Sequence, residues 1–140
     1  MTDYVLDTTA LVALERDRTK AVNVLAEIDL LGVALRTPAP ALTEFLGGAR
    51  PGRRAGATWI ASALRVTPVD ERQARRAALL QQRAKDAVPR AHPSAIDALV
   101  AAEAERAEAL LIIDGDAEDF AALASVSGAF RVARLSELTD

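Results

Sequence analysis

The chain of 140 residues contains no cysteine and a single histidine. Without cysteine it can form no disulfide bond, no thiolate zinc site and no cysteine nucleophile. One histidine also excludes a metal site built from several imidazoles. Any metal site in this sequence must therefore be rich in oxygen ligands, which favours Mg²⁺ or Mn²⁺.

Long apolar segments are also missing, since no run approaches the roughly 20 residues that a membrane-spanning helix needs. The N-terminus has no basic segment followed by an apolar one, so we expect no signal peptide, no membrane partner and a cytoplasmic protein. Aromatic residues make up only 4% of the chain although hydrophobic residues reach 51%, so the core must consist mainly of Ala, Leu, Val and Ile. This composition suits helices packed on a sheet. The length predicts one domain, residues 1–140.

Lysine is scarce as well, because Lys20 and Lys85 are the only two and all other basic residues are arginine. The net charge is −3 and the pI about 5.2, which alone argues weakly against nucleic-acid binding. The distribution of charge matters more, because acids gathered around a divalent cation no longer repel phosphate. Arginine in turn suits bidentate contacts with phosphate.

Short apolar runs alternate with helical patterns along nearly the whole chain. Leu110–Ile113 is continuously apolar, as expected of a central parallel strand buried on both faces. The alternation indicates a three-layer α/β/α fold around a mainly parallel sheet of four to five strands. Strands are predicted at 4–7, 33–36, 65–69, 110–113 and 130–133, with helices at 10–16, 19–31, 41–46, around 59–64, at 71–85, 94–109 and 118–124, and a break at 47–52.

Several acids fall at or near the predicted strand ends, and each has an ordinary alternative explanation. Asp7 follows a strand and precedes a helix, so it could be a helix N-cap. Asp97 lies three residues after a serine and fits a capping box. Asp116 could cap the last helix, with Asp119 completing that box. Glu44 could be an exposed position on an amphipathic turn.

Together these acids indicate a site, because the carboxyl ends of parallel strands meet at one edge of a sheet, where open α/β sheets bind ligands. Asp114 ends the most apolar strand and would bring a fifth carboxylate to that edge. Like charges about 4 Å apart near a surface cost on the order of 4 kcal/mol per pair. Such a cluster makes sense if a divalent cation occupies it.

Four segments surround these acids, namely VLDTTAL at 5–11, PAPALTEF at 38–45, AIDALVAA at 95–102 and LIIDGDAEDF at 111–120. In this order they resemble PIN domains, and within these the VapC-type toxins of bacterial toxin–antitoxin pairs. Each segment is nonspecific alone, but all four at these intervals are a strong signal. The resemblance implies a single PIN-like α/β/α sandwich and a metal-dependent endoribonuclease that uses Mg²⁺ or Mn²⁺.

The family's acidic quartet falls on Asp7, Glu44, Asp97 and Asp116, and all but Glu44 are expected to bind metal. The family usually has Thr or Ser two residues before the fourth acid. This chain has Asp114 there, so Asp114 is either an additional ligand or shares the role of Asp116.

The family's hydroxyl after the first acid falls on Thr8 or Thr9, where it would orient a carboxylate or touch phosphate. Arg50, Arg53 and Arg54, beside the Gly-Pro turn, and His92, before the Asp97 helix, are candidate RNA contacts. Solvent exposure is the ordinary explanation for these four side chains.

The resemblance also implies partners. Such toxins form homodimers, and a VapB-type antitoxin lays a segment along a helical groove and covers the acids in a hetero-oligomer. The helices around 42–46 and 59–64 are the expected groove walls. The alternative is a catalytically inactive PIN scaffold that binds protein or RNA, against which the intact acids argue.

Overall fold

A computed structural model describes residues 2–115 and 117–138 of the chain. These residues form one sheet of five strands, all parallel, which confirms the predicted mainly parallel sheet of four to five strands. The strand order across the sheet is β3-β2-β1-β4-β5. The strands are β1 (Tyr4–Leu6), β2 (Leu35–Pro38), β3 (Arg65–Thr67), β4 (Leu110–Ile113) and β5 (Arg131–Arg134).

Helices connect the strands and cover both faces of the sheet. Short 3₁₀ helices lie at Pro51–Arg53 and Leu135–Leu138. No helix in the described ranges is both long and apolar enough to cross a bilayer. The α-helices are α1 (Thr8–Arg16), α2 (Arg18–Leu31), α3 (Ala39–Gly48), α4 (Arg54–Ser62), α5 (Glu71–Ala87), α6 (Ala95–Ala107) and α7 (Glu118–Ser127).

The core consists of two hydrophobic clusters, one on each face of the sheet. Successive residues of a strand point to opposite faces, so Val5 belongs to the cluster formed with α5, α6 and α7. Leu6 belongs to the cluster formed with α1, α2 and α4. In β4, Leu111 belongs to the cluster of Val5 and Ile112 to the cluster of Leu6. This arrangement confirms the predicted three-layer α/β/α fold.

The order of the strands determines where a ligand can bind. From β1 the chain moves outward through β2 to β3, then returns to place β4 on the other side of β1. The connection that follows β1 leads to one side of the sheet and the connection that follows β4 leads to the other. The two connections therefore diverge between β1 and β4. A crevice at such a switch point, outside the carboxyl ends of the strands, is the usual ligand site of open α/β sheets. Asp7 follows β1 and Asp114 follows β4 at this point.

Most predicted boundaries shift by one to a few residues, and the helix predicted around 59–64 lies at Arg54–Ser62. Two of these shifts have a clear cause. The second strand, predicted at 33–36, lies at Leu35–Pro38. The register of β2 with β1 ends at Arg36, so Pro38 lies beyond that ladder and is paired only with Thr67 of β3. The predicted break at 47–52 begins only at Ala49, since α3 continues through Gly47 and Gly48. Glycine lowers helix propensity by about 1 kcal/mol but does not block a helix sterically.

Candidate active site

Asp7 lies at the carboxyl end of β1 and is only 4% exposed. Its backbone N–H donates to the carbonyl of Ile112 at 3.1 Å, which keeps it beside β4. Its carboxylate accepts the N–H of Ala10 at 2.9 Å and so caps α1. The helix-cap explanation of Asp7 is therefore correct, but it uses one carboxylate oxygen and is compatible with metal binding at the other.

Thr9 is the hydroxyl that contacts Asp7. Its Oγ1 lies 2.7 and 2.9 Å from the two carboxylate oxygens, to which it donates its one hydrogen. The same oxygen accepts the N–H of Asp114 at 2.9 Å. Thr9 therefore joins the ends of β1 and β4 across the switch point.

The segment after β4 turns sharply. Asp114 is exposed, and Gly115 has φ of +100°, a conformation that side chains with a Cβ rarely adopt. Asp116, the predicted fourth acid, lies outside the described residues.

Asp97 lies in the first turn of α6 and forms the predicted capping box with Ser94. The N–H of Asp97 donates to Ser94 Oγ at 3.0 Å, and the N–H of Ser94 donates to Asp97 Oδ2 at 3.1 Å. Oδ1 of Asp97 has no hydrogen-bond partner in the described part of the chain. The capping box thus fixes the side chain and leaves one oxygen available.

Loss of solvent and neighbouring negative charge act on both Asp7, which is buried, and Asp97, which is partly buried. Burial raises the pKa of Asp7 to about 6, and the charge of Asp97 adds to this effect, while hydrogen bonds from Ala10 and Thr9 oppose it. The pKa of Asp97 is raised by burial first, and then by the charges of Asp119 and Glu44. These carboxylates are therefore electrostatically coupled across the switch point.

Asp119 is a member of this group that the sequence interpretation did not select. It lies in the first turn of α7, and its Oδ1 accepts the backbone N–H of His92 at 2.8 Å. The signal for it was present, because Asp119 lies in the first turn of a helix after a buried strand, as Asp97 lies in the first turn of its helix. The side chain of His92 is exposed, and the hydrogen bond to Asp119 comes from its backbone N–H.

Glu44 is exposed on α3 and lines a groove of about 370 Å³ beside the acids. Two of the three candidate RNA-binding arginines, Arg50 and Arg53, line this groove, whereas Arg54 does not. Of the expected wall segments, 42–46 contributes Glu44 and Phe45, and 59–64 contributes no residue in the described structure. The full lining is Thr8, Val12, Glu15, Arg16, Glu44, Phe45, Gly48, Ala49, Arg50 and Arg53.

The chemistry of the site suits a hard divalent cation. Among residues 2–115 and 117–138, no group of three or more Asp, Glu or His side chains is arranged to hold a metal by itself. Mg²⁺, however, is commonly bound by one or two carboxylates together with water and substrate phosphate, so Asp7 and Asp97 meet its requirement. Oγ1 of Thr8 is buried without a hydrogen-bond partner in the described structure, which leaves a polar atom for a bound group to satisfy.

The PIN domain family model matches residues 4–126, and the chain belongs to this family. PIN domains are typically nucleases, and PIN nucleases generally use divalent metals. Among curated proteins, no sequence matches the chain significantly.

Solved structures share the fold at low sequence identity. A chain of the DNA-bound VapBC complex from Salmonella typhimurium superposes with a TM-score of 0.72 at 14% identity, covering 96% of this chain and 99% of that one. A chain of FitAB bound to an IR36 DNA fragment gives 0.64 at 18% identity, covering 94% of each. PAE2754 from Pyrobaculum aerophilum gives 0.62 at 18% identity, covering 99% and 94%.

Proposed function

We propose that the chain is a Mg²⁺- or Mn²⁺-dependent endoribonuclease that hydrolyses RNA phosphodiester bonds. The observation that carries this proposal is the pair Asp7 and Asp97, both with pKa values raised by burial and by neighbouring negative charge, at the switch point of a PIN fold. Among the described residues, no cation pairs with either carboxylate. A bound divalent cation would remove their repulsion and bring phosphate to the site.

The residues of the site have distinct proposed tasks. Asp7 and Asp97 hold the cation, with Asp114 and Asp116 as further ligands. When bound, the cation lowers the pKa of its water and stabilises negative charge on the phosphate.

The other polar groups act beside these ligands. Thr9 keeps the Asp7 carboxylate oriented, and the free hydroxyl of Thr8 donates to a phosphate oxygen. Glu44 is exposed at the mouth of the site, where its carboxylate can accept the proton of the attacking water.

We also propose that the chain is the toxin of a VapBC-type pair and works in the cytoplasm. Support comes from the fold it shares with chains of the VapBC and FitAB complexes. A VapB-type antitoxin would inhibit the chain by placing an arginine or lysine among the acids in place of the metal. A homodimer of the chain, assembled with the antitoxin into a hetero-oligomer, is the proposed assembly.

A second candidate is a catalytically inactive PIN scaffold that binds protein or RNA. One observation favours it, namely that no three acids of the described residues form a metal cage. This candidate predicts RNA or protein binding that is independent of Mg²⁺ and is not followed by cleavage.

The test is incubation of the purified chain with total RNA in Mg²⁺ or Mn²⁺, and in EDTA. We expect cleavage that requires the metal and is abolished by Asp7→Asn. Asp70→Asn is the matched control, because Asp70 also caps a helix, accepting the N–H of Gln73 at 2.8 Å, but is exposed and remote from the acids in the fold. Cleavage that survives both EDTA and Asp7→Asn would contradict the mechanism, and binding without cleavage by the unaltered chain would favour the scaffold.

A further inference from the structure

The groove beside the acids, called here the arginine groove and defined by the ten lining residues given above, has two chemically different ends. Thr8 and Glu44 line one end and also belong to the candidate active site. Thr8 begins α1 and Arg16 ends it, and Arg50 and Arg53 follow the end of α3, so the three arginines lie toward the other end. A ligand in the arginine groove would therefore touch the reacting centre and the arginines together.

The arginine end carries uncompensated positive charge. Arg53 pairs with Glu15, with 3.4 Å between Nη1 and Oε1, which neutralises the one acid at this end. In the described structure, neither Arg16 nor Arg50 forms an ion pair, and both are exposed. The arrangement attracts an anion and offers two guanidinium groups to bind it.

The floor of the groove between the two ends is apolar and has few projecting side chains. Phe45 is buried beneath it, and Val12 flanks it. Gly48 and Ala49 present almost no side chain at the end of α3. The floor can therefore receive a flat, uncharged group while the arginines hold an anion beside it, which is the chemistry of a base and its phosphate.

We propose that the arginine groove is a nucleotide subsite for the RNA strand next to the scissile phosphate. Arg16 and Arg50 hold the flanking phosphate, and the base lies on the floor formed by Phe45, Gly48 and Ala49. The inference rests on the proposed function, because it takes RNA as the substrate. The unpaired arginines and the continuity with a phosphate-binding centre favour RNA over a protein segment as the occupant.

Gly48 provides a way to block the groove without disturbing the fold. A Cβ built at Gly48 would meet no atom within 4 Å, so a side chain there has room to project. Gly47 is the matched control, because a Cβ there also meets nothing within 4 Å but Gly47 does not line the groove. Both lie in α3, so replacing either glycine should improve helix propensity similarly.

The experiment compares Gly48→Leu with Gly47→Leu, each combined with Asp97→Asn so that RNA binds without being cut. The probe is a fluorescein-labelled, mixed-sequence single-stranded RNA of about 12 nucleotides, followed by fluorescence anisotropy in Mg²⁺. We expect Gly48→Leu to weaken the Kd about tenfold and Gly47→Leu to leave it within about twofold of the parent. Arg50→Gln should weaken binding and lower the slope of log Kd against log salt by about 1.

Equal affinities for the two leucine variants would overturn the subsite and leave the groove to a protein segment, and failure of the parent to bind RNA would overturn it as well. These outcomes are distinct from failure of the proposed function. If the unaltered chain cuts no RNA, yet the Kd depends on Gly48 as expected, the nuclease proposal fails, while the arginine groove is still shown to bind a nucleotide of RNA. If the chain cuts RNA with equal kcat/KM in both leucine variants, which also bind RNA equally, only the subsite fails.

Discussion

Thr9 holds Asp7 in place, with 2.7 Å between the hydroxyl of Thr9 and Oδ1 of Asp7. The hydroxyl also accepts the N–H of Asp114 at 2.9 Å. One small side chain thus fixes the first acid of the candidate site to the loop that carries Asp114. The backbone hydrogen bond from Asp7 to Ile112 joins the main chains of the two strand ends, and Thr9 extends this link to the carboxylate of Asp7 and the N–H of Asp114.

Thr9→Val should therefore destabilise the metal-free chain by about 0.5–1.5 kcal/mol, because it removes the hydrogen bond to Asp7 and the one from the exposed N–H of Asp114. Metal affinity should fall as well, and Thr9→Ser should restore both properties. Thr8→Val is the matched control, since Oγ1 of Thr8 has no partner in the described structure. Urea denaturation and metal titration provide the measurements. Equal losses for the two valine variants would show that the hydroxyl of Thr9 has no special role.

The stability of the metal-free chain should depend on pH through Asp7. Its pKa is raised from 3.8 to about 6 in the folded state, so folding favours the protonated carboxyl. The stabilising contribution is fully present below about pH 3.8 and is lost as the pH rises through about 6. Above that range the ionised carboxylate of Asp7 lowers the free energy of unfolding by on the order of 3 kcal/mol relative to the protonated form.

We expect the free energy of unfolding to decline between about pH 4 and 7, and Asp7→Asn to remove much of this decline. Urea denaturation in EDTA across this range is the measurement, with Asp70→Asn as the control for a helix cap. Mg²⁺ should reverse the loss near neutral pH because it binds the ionised form. A pH profile that is the same in Asp7→Asn and in the unaltered chain would contradict the assignment.

Asp97→Asn should raise the melting temperature of the metal-free chain and abolish the further rise produced by Mg²⁺ or Mn²⁺. The amide can still accept the N–H of Ser94, so the capping box persists while the repulsion from Asp119 and Glu44 disappears. Ser94→Ala breaks the same box without changing charge, and should lower stability by about 1 kcal/mol while leaving the response to metal intact. Thermal melts with and without metal distinguish the two effects. If Asp97 were only a helix cap, Asp97→Asn would be neutral or slightly destabilising.

The sequence predicts the sheet and the principal acids because both depend on local patterns. Continuous apolar strands such as Leu110–Ile113 identify the sheet, and an acid after a strand or in a first helical turn identifies Asp7 and Asp97. The sequence does not decide between Thr8 and Thr9, since both follow Asp7 and only the tertiary position of Asp114 selects Thr9.

Asp119 was missed for a related reason. The family's acidic quartet does not include Asp119, which acts on the group through its charge near Asp97 and is held by the N–H of His92, a residue distant in sequence. The C-terminal end of α3 was predicted too early because Gly47 and Gly48 are typical of a helix break. In the structure the helix continues through both glycines.

Glu103 provides a test of whether the stability of the fold and the activity of the candidate site can be changed independently. It lies on α6 with Asp97 but is fully buried, where it accepts hydrogen bonds from Gln73 at 2.9 Å and from Arg106. Glu103→Gln would leave Arg106 without its partner. The expected loss is about 2 kcal/mol, smaller than for a fully buried pair because Arg106 can be rehydrated.

RNA cleavage per folded molecule should be unchanged by Glu103→Gln, since the residue lies toward the opposite end of α6 from Asp97. The matched control is Glu71→Gln, which removes an ion pair with Arg75 in which both side chains are exposed, and should change stability by less than about 0.5 kcal/mol. Denaturation curves and cleavage rates measured on the same samples provide both readouts. If Glu103→Gln reduced the cleavage rate of fully folded protein, the Glu103–Arg106 ion pair would have to act on the position of Asp97 through α6, and the expected independence of the site from this ion pair would be wrong.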